Sequence, residues 1–329
     1  MHDAGWLGFP AHRRLKGARR SITACAPALI GYRLQQDVTS MMKGKISTIV
    51  LVAVFLVGLS LLLYPTVSDY WNTLYQSKAI AGYNEAVSNL DEAECGRLWQ
   101  EAVAYNQTLV GKDDRFLMTD EERSKYESLL DMDGTGIIGS IDIPSLQCSF
   151  PIYHGTDEGV LQIAIGHIEG SSLPVGGEGT HCVLSGHRGL PSARLFTDID
   201  KLEKGDRFSL RVLNRTLTYE VDRISIVLPY EVENLAIEEG KDYCTLVTCT
   251  PYGVNSHRLL VRGHRVESEQ DDQSARITSD AIQIDPLIVA SVVGAFAVAV
   301  IALALFALTG RKPKPAVARE VIGVSHDED

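Results

Sequence analysis

Two uncharged apolar runs decide how this chain can be laid out. Ile46 to Tyr64 (ISTIVLVAVFLVGLSLLLY) holds nineteen residues without a charge, and Leu287 to Thr309 holds twenty-three. At about 1.5 Å rise per residue, each helix would reach roughly the 30 Å of a bilayer's hydrocarbon core. A cleavable signal peptide is the rival reading of the first run, but the run is too long and no small-residue cleavage site follows it. Two buried core helices are the other alternative. The expectation is a chain that crosses a membrane twice.

The flanks set the orientation. Arg13, Arg14, Lys16, Arg19, Arg20, Lys43 and Lys45 precede the first run, and Arg311, Lys312, Lys314 and Arg319 follow the second. Basic flanks stay cytoplasmic, so both termini are expected inside and residues 65–286 outside. The layout is then a basic cytoplasmic segment (1–45), a first span (46–64), a helical region (65–135), a β domain (136–267), a linker (268–286), a second span (287–309) and a cytoplasmic tail (310–329). Met41-Met42-Lys43 reads as a start, which would leave residues 1–40 outside the native chain or as a tail without function. The net charge is −11, and because the ends are basic, the acidity belongs to the external part. That balance argues against nucleic acid as a partner. The bilayer itself is the first partner implied.

Of six cysteines, Cys25 would be cytoplasmic, leaving Cys95, Cys148, Cys182, Cys244 and Cys249 outside. An odd number in an oxidising compartment leaves at least one thiol free. Cys148 and Cys182 are open to either reading, disulfide or buried thiols, with thiols preferred.

The external region changes its grammar once. Over residues 69–130 apolar and aromatic positions recur at spacings of three and four (Tyr70, Leu74, Tyr75, Ile80, Tyr83, then Val87, Leu90, Leu98, Val103, Tyr105), as in amphipathic helices. Gly111 and a charge cluster interrupt that pattern, and Thr119-Asp120-Glu121-Glu122 offers capping residues for a short helix running to Leu130. From Gly136 onward short β-branched or alternating runs are separated by Gly, Pro, Asn and Asp, which predicts a mainly β, closed or nearly closed antiparallel barrel.

One strand of that barrel carries a nucleophile candidate. In "TLVTCTPYGVNSHRLLVRGHR" (245–265), Thr245, Val247 and Cys249 share one face, and Cys244, Leu246 and Thr248 share the other. Pro251-Tyr252-Gly253 ends the strand, so Cys249 lies at its tip. Arg258 lies just inside the returning strand, where a guanidinium can favour a thiolate and hold an oxyanion. A packed cysteine beside a surface arginine is the plain alternative. A thiol nucleophile also needs an acid/base partner. His187, in "LSGHRGLPSA", leaves a strand end through glycine toward a short helix, which suits an exposed imidazole. His257 is the rival, but as Arg258's neighbour on a strand it must point to the opposite face.

"TLVTCTPYGVNSHRLLVRGHR" together with "HCVLSGHRGLPSARLFTDIDKLEKGD" resembles the sortases, the cysteine transpeptidases of Gram-positive bacterial surfaces, over roughly residues 70–266. The resemblance implies an eight-stranded sortase barrel with Cys249 as nucleophile, His187 as acid/base and Arg258 as oxyanion or substrate stabiliser. "GIIGSIDIPSLQCSFPIYHGT", "GHIEGSSLPVGGEGTHCVLSGHRG" and the second span are similar to class C, the pilin-polymerising sortases. These carry an N-terminal lid with an Asp-Pro-aromatic motif, the Asp meeting the catalytic Arg and the ring covering the Cys. Asp114-Arg115-Phe116 stands in that place, with the proline replaced. Loss of proline's fixed φ predicts a looser lid; an ordinary charged loop is the alternative.

Other motifs are weaker. "DMDGTGIIGSID" (131–142) imitates a calcium loop, but Asp142 stands where Glu is usual and a strand follows, so a turn is preferred. "LPVGG" (173–177) resembles a sorting signal but lies within the domain and reads as a loop. The resemblance implies cleavage of an LPxTG-like signal between Thr and Gly, and transfer to a lysine amine of a pilin precursor, with no cofactor. A housekeeping sortase that anchors proteins to cell-wall precursor is the alternative, and a non-enzymatic tethered scaffold is the more distant one.

Overall fold

The computed structural model describes residues 26–267, with side chains from residue 46, and isolated helical positions between 294 and 304. The linker and the second predicted span lie otherwise outside the described residues. The chain divides into two units, one made of 1–58 with 283–329 and the other of 59–282.

Helix α1 (Ala26–Ser88) continues through the first apolar run and past Pro65. Residues on both sides of the 64/65 boundary between the predicted first span and the helical region belong to this one helix. The proline removes one backbone donor without ending the helix. The stretch from Ile46 includes a window of mean hydropathy 2.8 with no buried residue. It is the one helix long and apolar enough to cross a membrane among the described residues.

In the second unit, α2 (Glu92–Leu109) starts at Asp91, whose carboxylate accepts from the Glu94 N–H at 2.7 Å. The next helix, α3 (Asp120–Glu127), starts where the sequence offered capping residues. Thr119 Oγ1 accepts from the Glu122 N–H, and the Glu122 carboxylate accepts from the Thr119 N–H at 2.9 Å. It stops before the expected Leu130, which takes a positive φ of 61°. Asp131 and Asp133 cap the turn that follows through the amides of Gly134, Gly136 and Thr135.

The barrel strands are β1 (Ile137–Ile143), β2 (Cys148–His154), β3 (Ile165–His167), β4 (Thr180–Ser185), β5 (Arg207–Val212), β6 (Arg215–Val227), β7 (Asp242–Thr250) and β8 (His257–Val266), with a short helix α4 (Glu158–Leu161) before β3. They close in the order β1-β2-β3-β4-β7-β8-β6-β5. The expected eight-stranded barrel is therefore present, with one difference: β2 with β3 and β4 with β7 run parallel. Closure removes every sheet edge.

Alternation sorts the side chains of β4, β7 and β8 into two sets. Cys182, Leu184, Cys244, Leu246, Leu259 and Val261 join the interior core. Val183, Val247 and Leu260 point the other way and form a second cluster with Val227 and Leu235. Gly263 belongs to the interior by necessity, since a Cβ there would meet the Phe208 ring at 2.9 Å.

Candidate active site

Cys249 and Arg258 are direct partners in the antiparallel β7–β8 register. Paired residues in such a ladder present their side chains on one face, with Cβ atoms about 4.5–5.5 Å apart. That face is the outer one, shared with Val247 and Leu260. Cys249 is partly exposed, whereas Cys95, Cys182 and Cys244 are buried. Cys244 packs in the barrel interior, beside Cys182 in the β4–β7 register, and all five described cysteines are free thiols. Burial pushes the Cys148 thiol up to about 12, which leaves it a poor nucleophile beside Cys249.

His187 reaches the same end by a different route. The parallel β4–β7 ladder pairs Ser185 with Val247, and the Gly186 N–H continues it to the Val247 carbonyl at 3.1 Å. Thr248 Oγ1 then donates to the Gly186 carbonyl at 2.7 Å. His187 lies two residues past Ser185 and Cys249 two past Val247, so both follow the same end of the β4–β7 ladder. Gly186 is required at the crossing, because a Cβ there would meet the Phe196 ring and Ile165 at 2.7 Å. The rival His257 pairs with Thr250 and bonds its neighbour Ser256 at 2.9 Å.

Arg258 turns one guanidinium nitrogen to the carbonyls of Asn255 and His257, at 3.2 and 3.1 Å. Its other donors make no hydrogen bond among the described residues. A guanidinium held by one nitrogen with the rest of its fork open can accept a carbonyl oxygen that gains charge during attack. Arg188 was not singled out from sequence, although it adjoins His187. It donates to Thr250 Oγ1 at 3.3 Å and pairs with Asp200, tying the His187 loop to the tip of β7.

The segment between α2 and α3 docks on this face. Phe116 packs against the outer cluster of Val183, Val227, Leu235, Val247 and Leu260, two positions along the ladder from Cys249 and Arg258. Asp114 is exposed and makes no ion pair with Arg258, whose guanidinium is turned into its own hairpin. Arg115 differs most from expectation. It is 6% exposed, donates to the carbonyls of Leu235 at 2.6 Å and Gly170 at 3.5 Å, and stacks over the Phe116 ring at 4.5 Å. In place of proline stands a buried cation that bonds the segment down.

Comparison with known proteins identifies the family. Residues 141–266 match the family model for the sortase domain. The crystal structure of sortase C1 from Streptococcus agalactiae is similar, with 51% identity and a TM-score of 0.56, over 58% of this chain and 100% of that one. The chain belongs to the sortase family. A second similar sortase structure is the sortase C of Streptococcus pneumoniae, at 46% identity and a TM-score of 0.53 over 58% of this chain and 97% of that one. Sortase D of Bacillus subtilis is 32% identical over 131 residues, 39% of this sortase and 63% of the relative's own length. The match thus spans less than two thirds of that curated relative. As a sortase the chain falls among cysteine transpeptidases, the group whose chemistry a thiol, an imidazole and a guanidinium at one barrel end suit.

Proposed function

We propose that this protein is a membrane-tethered class C sortase that polymerises pilins. Cys249 gives its thiol proton to His187 and attacks the threonine carbonyl of an LPxTG-like signal, and Arg258 holds the oxygen as it becomes an oxyanion. Collapse breaks the C–N bond, with His187 protonating the departing glycine amine, and leaves a thioester on Cys249. A lysine amine of the next pilin attacks that thioester and gives its proton to His187, which passes it to the departing sulfur, so that the thiol is restored and an isopeptide bond is formed. The thioester conserves the energy of the broken peptide bond, so no cofactor enters the scheme.

The observation that carries this reading is the Cys249–Arg258 register pair, with His187 two residues beyond the end of the adjacent parallel strand. Support for the class comes from the similar sortases C, of which the pneumococcal one is described with pilin substrate specificity, and from the docked segment bearing Asp114 and Phe116. The apolar helix that starts at Ile46 supports tethering; the second span and cytoplasmic termini follow from the basic flanks.

Incubation with an LPxTG peptide and a lysine-bearing pilin domain tests the reading. Wild type is expected to ligate the two, and Cys249→Ala to give neither cleavage nor ligation. Transfer to a wall-precursor amine in preference to the pilin lysine would favour the housekeeping alternative. Intact peptide with wild type would favour the scaffold.

A further inference from the structure

We infer that Arg115 is a positioning residue that locks the lid to the β6–β7 connection, so that the two leave the Cys249 face together. This rests on the reading of residues 110–119 as a lid, not on the identity of the substrate. Three independent contacts converge. The Arg115 guanidinium bonds the Leu235 carbonyl at 2.6 Å, 120 residues away, and the Gly170 carbonyl, 55 residues away. Its plane covers the Phe116 ring. The lid backbone meets Gly170 so closely that a Cβ there would lie 2.1 Å from the Arg115 carbonyl oxygen, and Gly170 holds a positive φ of 80°.

The β6–β7 connection is gripped at two successive carbonyls. Arg115 holds Leu235, and His181 holds Ala236 through Nδ1 at 2.8 Å, while His181 Nε2 accepts from Thr245 Oγ1 at 2.7 Å. Leu235 also places its side chain beside Phe116 in the outer cluster. A ligand that displaces Phe116 while the Arg115–Leu235 bond holds therefore draws Leu235 away with the lid, against the connection's own anchors at Ala236, Glu238 and Lys241.

The lock is poised to open. Arg115 has no carboxylate partner among the described residues, and burial lowers its affinity for the proton. Taking a guanidinium out of water is costly when only neutral carbonyls answer it, and lifting the lid returns it to water. The charge stabilises the closed arrangement through its bonds and opposes it through its hydration.

The test is hydrogen exchange of the full chain, read alongside the rate at which a thiol reagent modifies Cys249. Arg115→Ala is expected to speed exchange in both 110–119 and 228–241 and to speed modification severalfold, with β1 and β5 exchanging as in wild type. Arg115→Lys, which keeps the charge but cannot fork to two carbonyls, should restore only part of the protection. Gly170→Ala, whose Cβ would meet the Arg115 carbonyl, should loosen the same two segments with the guanidinium still present. Faster exchange in 110–119 alone overturns the coupling, and unchanged exchange in both overturns the anchor. Faster exchange throughout the barrel would make Arg115 a general structural residue and overturn the proposal. None of these readouts needs a sorting signal, so they stand even if the enzyme proves to act on another peptide.

Discussion

Cys249 and Arg258 face one another across β7 and β8 as nearest neighbours in a continuous ladder of hydrogen bonds. Both side chains thus sit within a hydrogen-bonded strand pair, whereas His187 sits just past a strand end, between Gly186 and Arg188, each of which bonds to β7.

That difference predicts how substitutions act. Cys249→Ala and His187→Ala should abolish transpeptidation. Arg258→Lys should lose about 10²–10³ in rate, the usual cost of one oxyanion donor, because an ammonium has no planar fork. Turnover near wild type in Arg258→Lys would reduce Arg258 to general charge.

The lid contact predicts a change in access. Phe116 covers the outer apolar cluster, and an aromatic contact adds about 0.5–1.5 kcal/mol beyond its buried area. Phe116→Ala, alone or with Asp114→Ala, should speed modification of Cys249 by a thiol reagent severalfold without unfolding the barrel. Since Asp114 makes no ion pair with Arg258, Asp114→Ala alone should do little. Equal rates in the double variant and wild type would make residues 113–118 an ordinary loop.

Buried imidazoles predict acid sensitivity. Burial drives His181 down to about 4, with Arg115 and Arg262 adding repulsion and Asp222 opposing it. His154 falls to about 4 for the same main reason, helped by His167. Unfolded, these groups titrate near 6.5, so between that value and 4 the unfolded chain binds protons that the fold refuses. Stability should be full above about pH 6.5 and decline toward pH 4, by about 3 kcal/mol for the fully buried His181. Asp242, raised by burial, acts in the opposite sense from the ordinary carboxylate value upward, and so offsets part of the loss in this same range. Urea midpoints at pH 7 and pH 4.5 measure the difference, and equal midpoints would contradict it.

The basic flanks predict topology. Protease added to intact protoplasts should digest residues 65–286 and spare a C-terminal tag. Loss of the tag at the same rate as the barrel would refute a cytoplasmic C-terminus.

Local chemistry made much of this legible before any coordinates. Period-two alternation in β7 separated Cys249 from Cys244, and Thr119 to Glu122 announced the start of α3. What stayed hidden depends on distant partners. No local pattern says that β4 runs parallel to β7, yet that pairing puts the segment leading to His187 at the Cys249 end of β7. Arg115 read as a defect in a lid because its acceptors, Gly170 and Leu235, lie far along the chain.

The division of β4, β7 and β8 into inner and outer apolar sets has an evolutionary consequence. Residues that keep the barrel folded and residues that meet the lid alternate along the same strands, yet they do not touch the same neighbours. Val183, Val247 and Leu260 can be exchanged for side chains of other shapes at a cost felt mainly by Phe116 and Leu235. Leu184, Leu246 and Val261 go on filling the interior meanwhile. A lineage built this way can retune what its groove recognises one substitution at a time, without passing through unfolded intermediates.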